Sequence, residues 1–176
     1  MGHHPKGSAV SVSISIAWIE GRNLLHLIDE FLELVAGPRT SADPALARLA
    51  PVAYPDDDAA AAEFRRGTRD ELFDRRRKDA LVMREDLVEF DDGDDHAGGR
   101  DVLAPHDVDI APAHVDPWMR TLTAIRLVVA SRLGVDHDDR HDPEDPRFHV
   151  YDWLGYRLDD LIQRADDADD EAASTA

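Results

Sequence analysis

Residues 116–134 read DPWMRTLTAIRLVVASRLG, and their pattern indicates a helical protein. The apolar side chains of this stretch recur three and four residues apart, which places them on one face of an α-helix. Asp116 is a typical N-cap, Pro117 fits the first helical turn, and Gly134 is a typical C-terminal stop. The stretch predicts a long amphipathic helix with a buried face formed by Trp118, Leu122, Ile125, Val128, Val129 and Leu133.

Other stretches follow the same helical period. Trp18–Val35 predicts a helix that ends at Gly37 and Pro38, and Asp43–Leu49 predicts a short helix with Asp43 as N-cap. The longest helix is expected from Asp56 to about Val88, and the last from His149 to Ala165. The sequence therefore predicts a mainly α fold, a compact bundle of about four main helices. Side chains expected on their buried faces include Leu24, Ile28, Phe31, Phe73, Leu81, Met83, Val150, Leu154 and Ile162.

Two short segments are typical of β-strands. Residues 9–16 read AVSVSISI, in which apolar residues alternate with serines at the period of a half-buried strand. Val108–Ala111 is a second candidate. Each segment is followed by a long helix, so we expect the two to pair as a small two-stranded β element.

The composition predicts one folded domain, two acidic loops within it and a disordered segment at each terminus. We expect a single helical domain over residues 9–165, since a chain of 176 residues is the size of one ordinary domain. Acidic stretches poor in apolar residues predict loops at 91–107 and 136–147. Residues 1–8 and the acidic tail 166–176 are expected to be disordered.

The net charge and the residue types present disfavour several classes of function. The chain has 38 acidic against 20 basic residues and a formal net charge of −18, so direct nucleic-acid binding is disfavoured, as is binding to anionic membranes. No apolar run reaches the ~20 residues that a membrane helix needs. Cysteine is absent, which excludes disulfides and thiol switches within the chain and fits a cytoplasmic location.

Histidine and carboxylate side chains are dense in one predicted loop. His137 and His141 lie four residues apart among several aspartates, a pattern that can gather zinc or manganese. The prolines and the scarcity of apolar anchors favour a plain acidic surface loop instead. No nucleophile elbow, phosphate-binding loop or dinucleotide-binding motif is present. We therefore expect no enzyme activity and no cofactor, with a metal-dependent hydrolase as a remote alternative.

The basic residues concentrate in residues 63–86, EFRRGTRDELFDRRRKDALVMRED. From residue 65 to residue 84, eight basic residues stand against four acidic ones, so this window has a net charge of about +4. It is either the mixed-charge outer face of a helix or a contact for an acidic partner, and protein is favoured over nucleic acid. The candidate partner-binding residues are Arg65, Arg66, Arg69, Arg75, Arg76, Arg77, Lys78 and Arg84.

Four aromatic residues lie at or near helix starts: Trp118, Tyr151, Trp153 and Tyr156. Packing in the core is their ordinary role. An exposed apolar patch that marks an interface is the alternative.

Three stretches together resemble a known family. They are DPALARLAPVAYPDDDAAAAEFRRGTRDEL (43–72), WMRTLTAIRLVVASRLGV (118–135) and VYDWLGYRLDDLI (150–162). Their order resembles that of actinobacterial AosR-type oxidative stress transcriptional regulators, long catalogued as a domain of unknown function. The resemblance covers about residues 16–165. It implies a mainly helical regulator encoded beside a Clp protease adaptor, with a branch that is associated with a stress sigma factor and senses through a cysteine pair.

The chain departs from that branch because it has no cysteine. An internal disulfide switch is therefore excluded, and Met83 and Met119 are the remaining oxidisable candidates. We expect a non-enzymatic regulator that contacts a sigma factor or RNA polymerase through protein rather than DNA. An adaptor or accessory protein of Clp-type proteolysis is the alternative, and a homodimer stays open.

Overall fold

The computed structural model describes residues 11–38, 43–51, 59–91, 101–135, 141–142 and 144–175. In the range 59–91 the side chains are described from residue 67 onward, and in the range 144–175 they are described up to residue 174. The elements in chain order are β1 (Val12–Ala17), α1 (Trp18–Ala36), α2 (Pro44–Leu49), α3 (Ala59–Asp86), a 3₁₀ helix (Val88–Asp91), β2 (Pro105–Ile110), α4 (Pro112–Leu133), a second 3₁₀ helix (Pro146–Phe148) and α5 (His149–Thr175). Four long helices with a small sheet confirm the predicted mainly α fold.

The two strands form an antiparallel sheet, as expected. The register runs from Val12 opposite Ile110 to Ala17 opposite Pro105. Val12, Ile14 and Ile16 face the core, as do Val108 and Ile110, while the intervening serines and aspartates face solvent. β2 begins at residue 105, so it includes three residues that composition alone assigns to the acidic loop. The alternation of aspartate with Val108 and Ile110 explains this, because acidic residues fit the outer face of a half-buried strand.

Two helix ends differ from the prediction. α4 begins at Pro112 and not at Pro117, because β2 ends at Ile110 and the extended Ala111 already serves as the N-cap. Pro117 lies inside the helix and is buried. α5 continues to Thr175, past the expected end at Ala165 and through the tail that we expected to be disordered. The predicted disordered N-terminus (1–8), residues 9–10 of the first predicted strand, residues 92–100 of the first predicted acidic loop and residues 136–140 of the second lie outside the described residues.

The core is contiguous and takes side chains from every long helix and from both strands. Phe73, Leu122 and Leu154 are among its most buried members. Three side chains expected in the core are exposed instead: Leu81, Val150 and Ile162. They lie at the margins of their helices' apolar faces, where a period of 3.6 residues does not separate buried from exposed positions.

Helix α5 covers the outer edge of β1. Arg157 Nη1 donates to the carbonyl oxygen of Ser15 at 3.2 Å, and Arg164 Nη1 donates to that of Ser13 at 3.1 Å. Both carbonyl groups are turned away from β2 and would otherwise be free to pair with another strand. The two arginines therefore close this edge of the sheet.

Helix α4 contacts α2, α3 and α5 and is the centre of the bundle. Helix α1 packs on α3 and on the first 3₁₀ helix. Within the described ranges, no helix is both long and apolar enough to cross a membrane.

Candidate protein interface

The basic residues of α3 do not share one face. Successive residues of an α-helix are rotated by about 100°, so Arg75 and Arg77 point to opposite sides of α3. Both are exposed, as is Lys78. Arg65 and Arg66 belong to the helix, but their side chains lie outside the described residues. The stretch therefore presents cations in several directions.

Arg69 and Arg84 contact other side chains of the same chain. The Arg69 guanidinium lies 5.6 Å from the centre of the Phe73 ring. Arg84 donates from Nε to Asp29 of α1 at 2.6 Å and from Nη2 to Asp91 at 3.2 Å, and the hydrogen bond to Asp29 raises the pKa of Arg84. These arginines stabilise the packing of α3 and are poor candidates for a partner contact.

Arg76 is half-buried between α3 and α2. Its Nη2 donates to the carbonyl oxygen of Leu49 at 2.9 Å. Its Nε is buried and has no hydrogen-bond partner in the described part of the chain. Burial lowers the pKa of Arg76, and the charge of nearby Asp79 opposes that effect. Arg76 thus has donor capacity that the fold leaves unused.

A groove lies beside Arg75 and Arg76, over α4 and between α3 and α5, with a volume of about 370 Å³. Its floor is α4 and its walls are α3 and α5. The lining residues are Leu72, Arg75, Arg76, Asp79, Met119, Arg120, Thr123, Leu158 and Ile162. The groove joins an apolar surface to cations on the α3 wall.

The acidic residue in this lining is already neutralised. Asp79 is buried and accepts two hydrogen bonds from Arg120, and these raise the pKa of Arg120. Arg75 and Arg76 therefore remain as the excess positive charge of the groove.

A larger pocket of about 680 Å³ lies between α1, α2 and α4. Its walls are mainly apolar, with Glu30 and Glu33 on the α1 side. Arg132 also lines it, but this arginine forms a bidentate pair with Asp43. None of the predicted site residues lines this pocket.

The four aromatic candidates have different surroundings. Trp118 is only 1% exposed and donates Nε1 to Asp86 at 2.8 Å. Tyr151 is buried too, and Trp153 is half-buried. Only Tyr156 among the four is largely exposed, at 62%. Trp118 and Tyr151 are thus core residues of this chain.

The structure describes one of the two histidines proposed as weak metal candidates. His137 lies outside the described residues. His141 Nε2 is 3.0 Å from Asp152 Oδ2, and its ring stacks on Phe148 at 4.1 Å between centres. In the ranges that the structure describes, no group of three or more histidines and carboxylates is arranged to hold a metal ion.

Sequence reasoning missed the carboxylate Glu20. It accepts from the Ala17 backbone N–H at 2.9 Å, from Trp153 Nε1 at 2.7 Å and from Arg157 Nη2. Burial acts to raise the pKa of Glu20, but the hydrogen bonds from Arg157, Ala17 and Trp153 hold it below its usual value. A glutamate three residues after a helix N-cap signals the Ala17 contact. Nothing local signals the two partners in α5.

Asp86 was missed as well. It accepts from Trp118 and lies 3.0 Å from His114 Nδ1. Since Asp86 ends α3 and both partners belong to the start of α4, this cluster fixes the junction of the two helices that border the groove.

Comparison with known proteins gives a family without an assigned role. No curated protein and no solved structure matches the chain. A family described as "Domain of unknown function (DUF2017)" matches residues 2–165. Because that match spans nearly the whole chain, the protein belongs to the DUF2017 family.

Proposed function

We propose that this protein is a non-enzymatic regulator that acts by contacting another protein through the exposed cations of α3. One observation carries the proposal. Arg75, Arg77 and Lys78 are exposed and form no ion pair with any other described side chain. Arginines elsewhere in the bundle are paired with carboxylates, namely Arg84, Arg120, Arg132, Arg147, Arg157 and Arg164.

The charge of the chain supports a protein partner over nucleic acid. A net charge of −18 repels a phosphate backbone at long range, and three exposed cations do not reverse it. A folded partner with a local acidic patch meets the α3 cations at close range, where solvent screening limits the repulsion from distant charges. Complementary charge then contributes mainly to the choice of partner and to the association rate.

The resemblance to AosR-type regulators supports a partner in the transcription machinery, a sigma factor or RNA polymerase. In this chain the regulatory response does not use a cysteine pair, since the sequence has none. An oxidative signal would reach this protein through its partner.

The test is co-purification of the full chain from native cells, with and without oxidant. We expect a transcription protein to be recovered with wild type and lost with Arg75→Glu/Arg77→Glu/Lys78→Glu. Arg147→Glu makes the same kind of charge change at another exposed site and should retain the partner. Circular dichroism and thermal unfolding show whether each variant keeps the fold.

Two results would contradict this proposal. Recovery of Clp subunits without any transcription protein would favour the adaptor alternative. High-affinity binding of promoter DNA by the purified chain at physiological salt would show direct recognition instead.

A further inference from the structure

We propose that the groove between α3 and α5 binds an amphipathic α-helix of a partner protein, with carboxylates on the flank that faces α3. This inference rests on the proposed function and names the partner's contacting element. The groove is an open channel over α4, bordered by two helices, which is the shape that helix-in-groove recognition uses.

The groove supplies an apolar surface that the fold leaves partly uncovered. Ile162 on the α5 wall is 39% exposed. Leu72, Met119 and Leu158 are half-buried and lie on the three sides of the channel. Apolar side chains spaced at i, i+3, i+4 and i+7 on a bound helix would cover this surface.

The occupant is a helix rather than a strand because of the backbone around the groove. Floor and walls are all α-helices, whose backbone N–H and C=O groups are bonded within each helix. An extended peptide would find no backbone partners there. Recognition must therefore use side chains.

Charge gives the bound helix its orientation. The α3 wall carries Arg75 at the rim and Arg76 deeper, with its buried Nε unpaired. The rim of α5 carries the exposed Asp159, between Leu158 and Ile162 in sequence. Carboxylates of a bound helix are attracted to the α3 side and repelled from the α5 side. The partner helix is thus acidic on one flank and neutral or basic on the other.

The test uses the full-length chain and a displayed library of 18-residue helical peptides with a fixed apolar face and randomised flanks. We expect enrichment of peptides with Asp or Glu on one flank only. Fluorescence anisotropy should then show saturable binding that weakens about tenfold or more in Arg75→Glu and in Ile162→Glu. Arg147→Glu is the matched control: it makes the same charge change at an exposed arginine outside the groove lining and should bind like wild type.

Several results would overturn the inference: no enrichment, enrichment of basic or extended peptides, or binding that Arg75→Glu leaves unchanged. If Ile162→Glu fails to fold, Ile162→Gln serves in its place. Concentration-dependent dimerisation that Ile162→Glu abolishes, measured by sedimentation, would assign the groove to a second copy of the chain.

The co-purification experiment separates this inference from the proposed function. If Arg77→Glu/Lys78→Glu releases the native partner while Arg75→Glu and Ile162→Glu retain it, the chain works by protein contact but not through the groove. If the peptides bind in the groove but no native protein requires the α3 cations for co-purification, the proposed function is wrong. The inference that the groove binds an amphipathic helix is then still supported.

Discussion

Arg120 of α4 donates to both carboxylate oxygens of Asp79 of α3, from Nε to Oδ2 at 2.8 Å and from Nη2 to Oδ1 at 3.1 Å. Asp79 is 8% exposed, whereas the Arg120 side chain is 49% exposed. The pair thus places a buried anion beneath a partly solvated cation. It joins two helices of the groove and neutralises the charge of Asp79 within the groove lining.

Arg120→Ala should lower the free energy of unfolding by about 1–3 kcal/mol, because it leaves a buried carboxylate without its two donors. Urea denaturation measures the change. Arg147→Ala removes an exposed pair and should have no measurable effect. If Asp79→Ala/Arg120→Ala loses as much stability as the two single variants summed, the side chains are not coupled and this account of the pair is wrong.

Glu20 should make stability depend on pH. Folding lowers the pKa of Glu20, so its contribution is complete above the unfolded value near 4.5 and is lost as the pH falls through the folded value. Wild type should therefore lose stability below about pH 4.5, and Glu20→Gln should lose less over the same interval because it cannot ionise. Urea unfolding at pH 7, 5, 4 and 3 gives the comparison.

Glu33→Gln is the matched control for Glu20, since it makes the same change at an exposed position of α1. The acid dependence of this control should follow that of wild type. Equal slopes for all three proteins would show that the Glu20 hydrogen bonds do not contribute to acid sensitivity.

Gly21 permits the close approach of α1 to the first 3₁₀ helix. A Cβ atom at residue 21 would lie 2.3 Å from the Phe90 ring, which is itself packed against Trp18. Gly21→Ala should destabilise the fold by about 1–3 kcal/mol through overpacking. At Gly67 in α3 an added methyl group meets no described atom within 4 Å beyond the adjacent residues and the helix's own backbone, so Gly67→Ala should stabilise the fold by about 1 kcal/mol. Thermal unfolding that shows equal effects for both would contradict this explanation.

Thr121 places a hydroxyl group in the core of α4. The residue is 2% exposed, and its Oγ1 has no hydrogen-bond partner in the described ranges. Thr121→Val replaces the hydroxyl with a methyl group of similar shape and should stabilise the protein by about 1 kcal/mol. Thr123→Val should give no gain, because the Thr123 hydroxyl is exposed and donates to the Met119 carbonyl oxygen at 2.7 Å. A fall in melting temperature for Thr121→Val would show that the hydroxyl is satisfied.

Local signals in the sequence predicted the elements well. Asp43 caps α2 by accepting from the Ala45 N–H at 2.9 Å, as the Asp–Pro signal indicates. The same signal at Asp116 was wrong because the helix already begins at an earlier proline, Pro112, two residues after β2 ends. Dipeptide signals describe a favourable helix start, but the end of the preceding strand decides which start is used.

The candidate site was less accessible to sequence reasoning. The sequence shows that α3 is rich in arginine. It does not show which of these arginines contact the rest of the fold and which remain exposed. Arg76 donates a hydrogen bond to a carbonyl group 27 residues away in sequence, and Glu20 accepts one from a tryptophan 133 residues away. Such partners depend on how the helices cross, which the period of each helix does not specify.

The coverage of the β1 edge by α5 has a consequence for biosynthesis. Ser13 and Arg164 are 151 residues apart, so β1 leaves the ribosome long before the helix that protects its carbonyl groups. Throughout translation of the domain the nascent strand remains open to pairing with other chains, and protection by Arg157 and Arg164 comes only when α5 is complete. Completion of α5, rather than emergence of the first elements, is then the step after which this edge of β1 is covered.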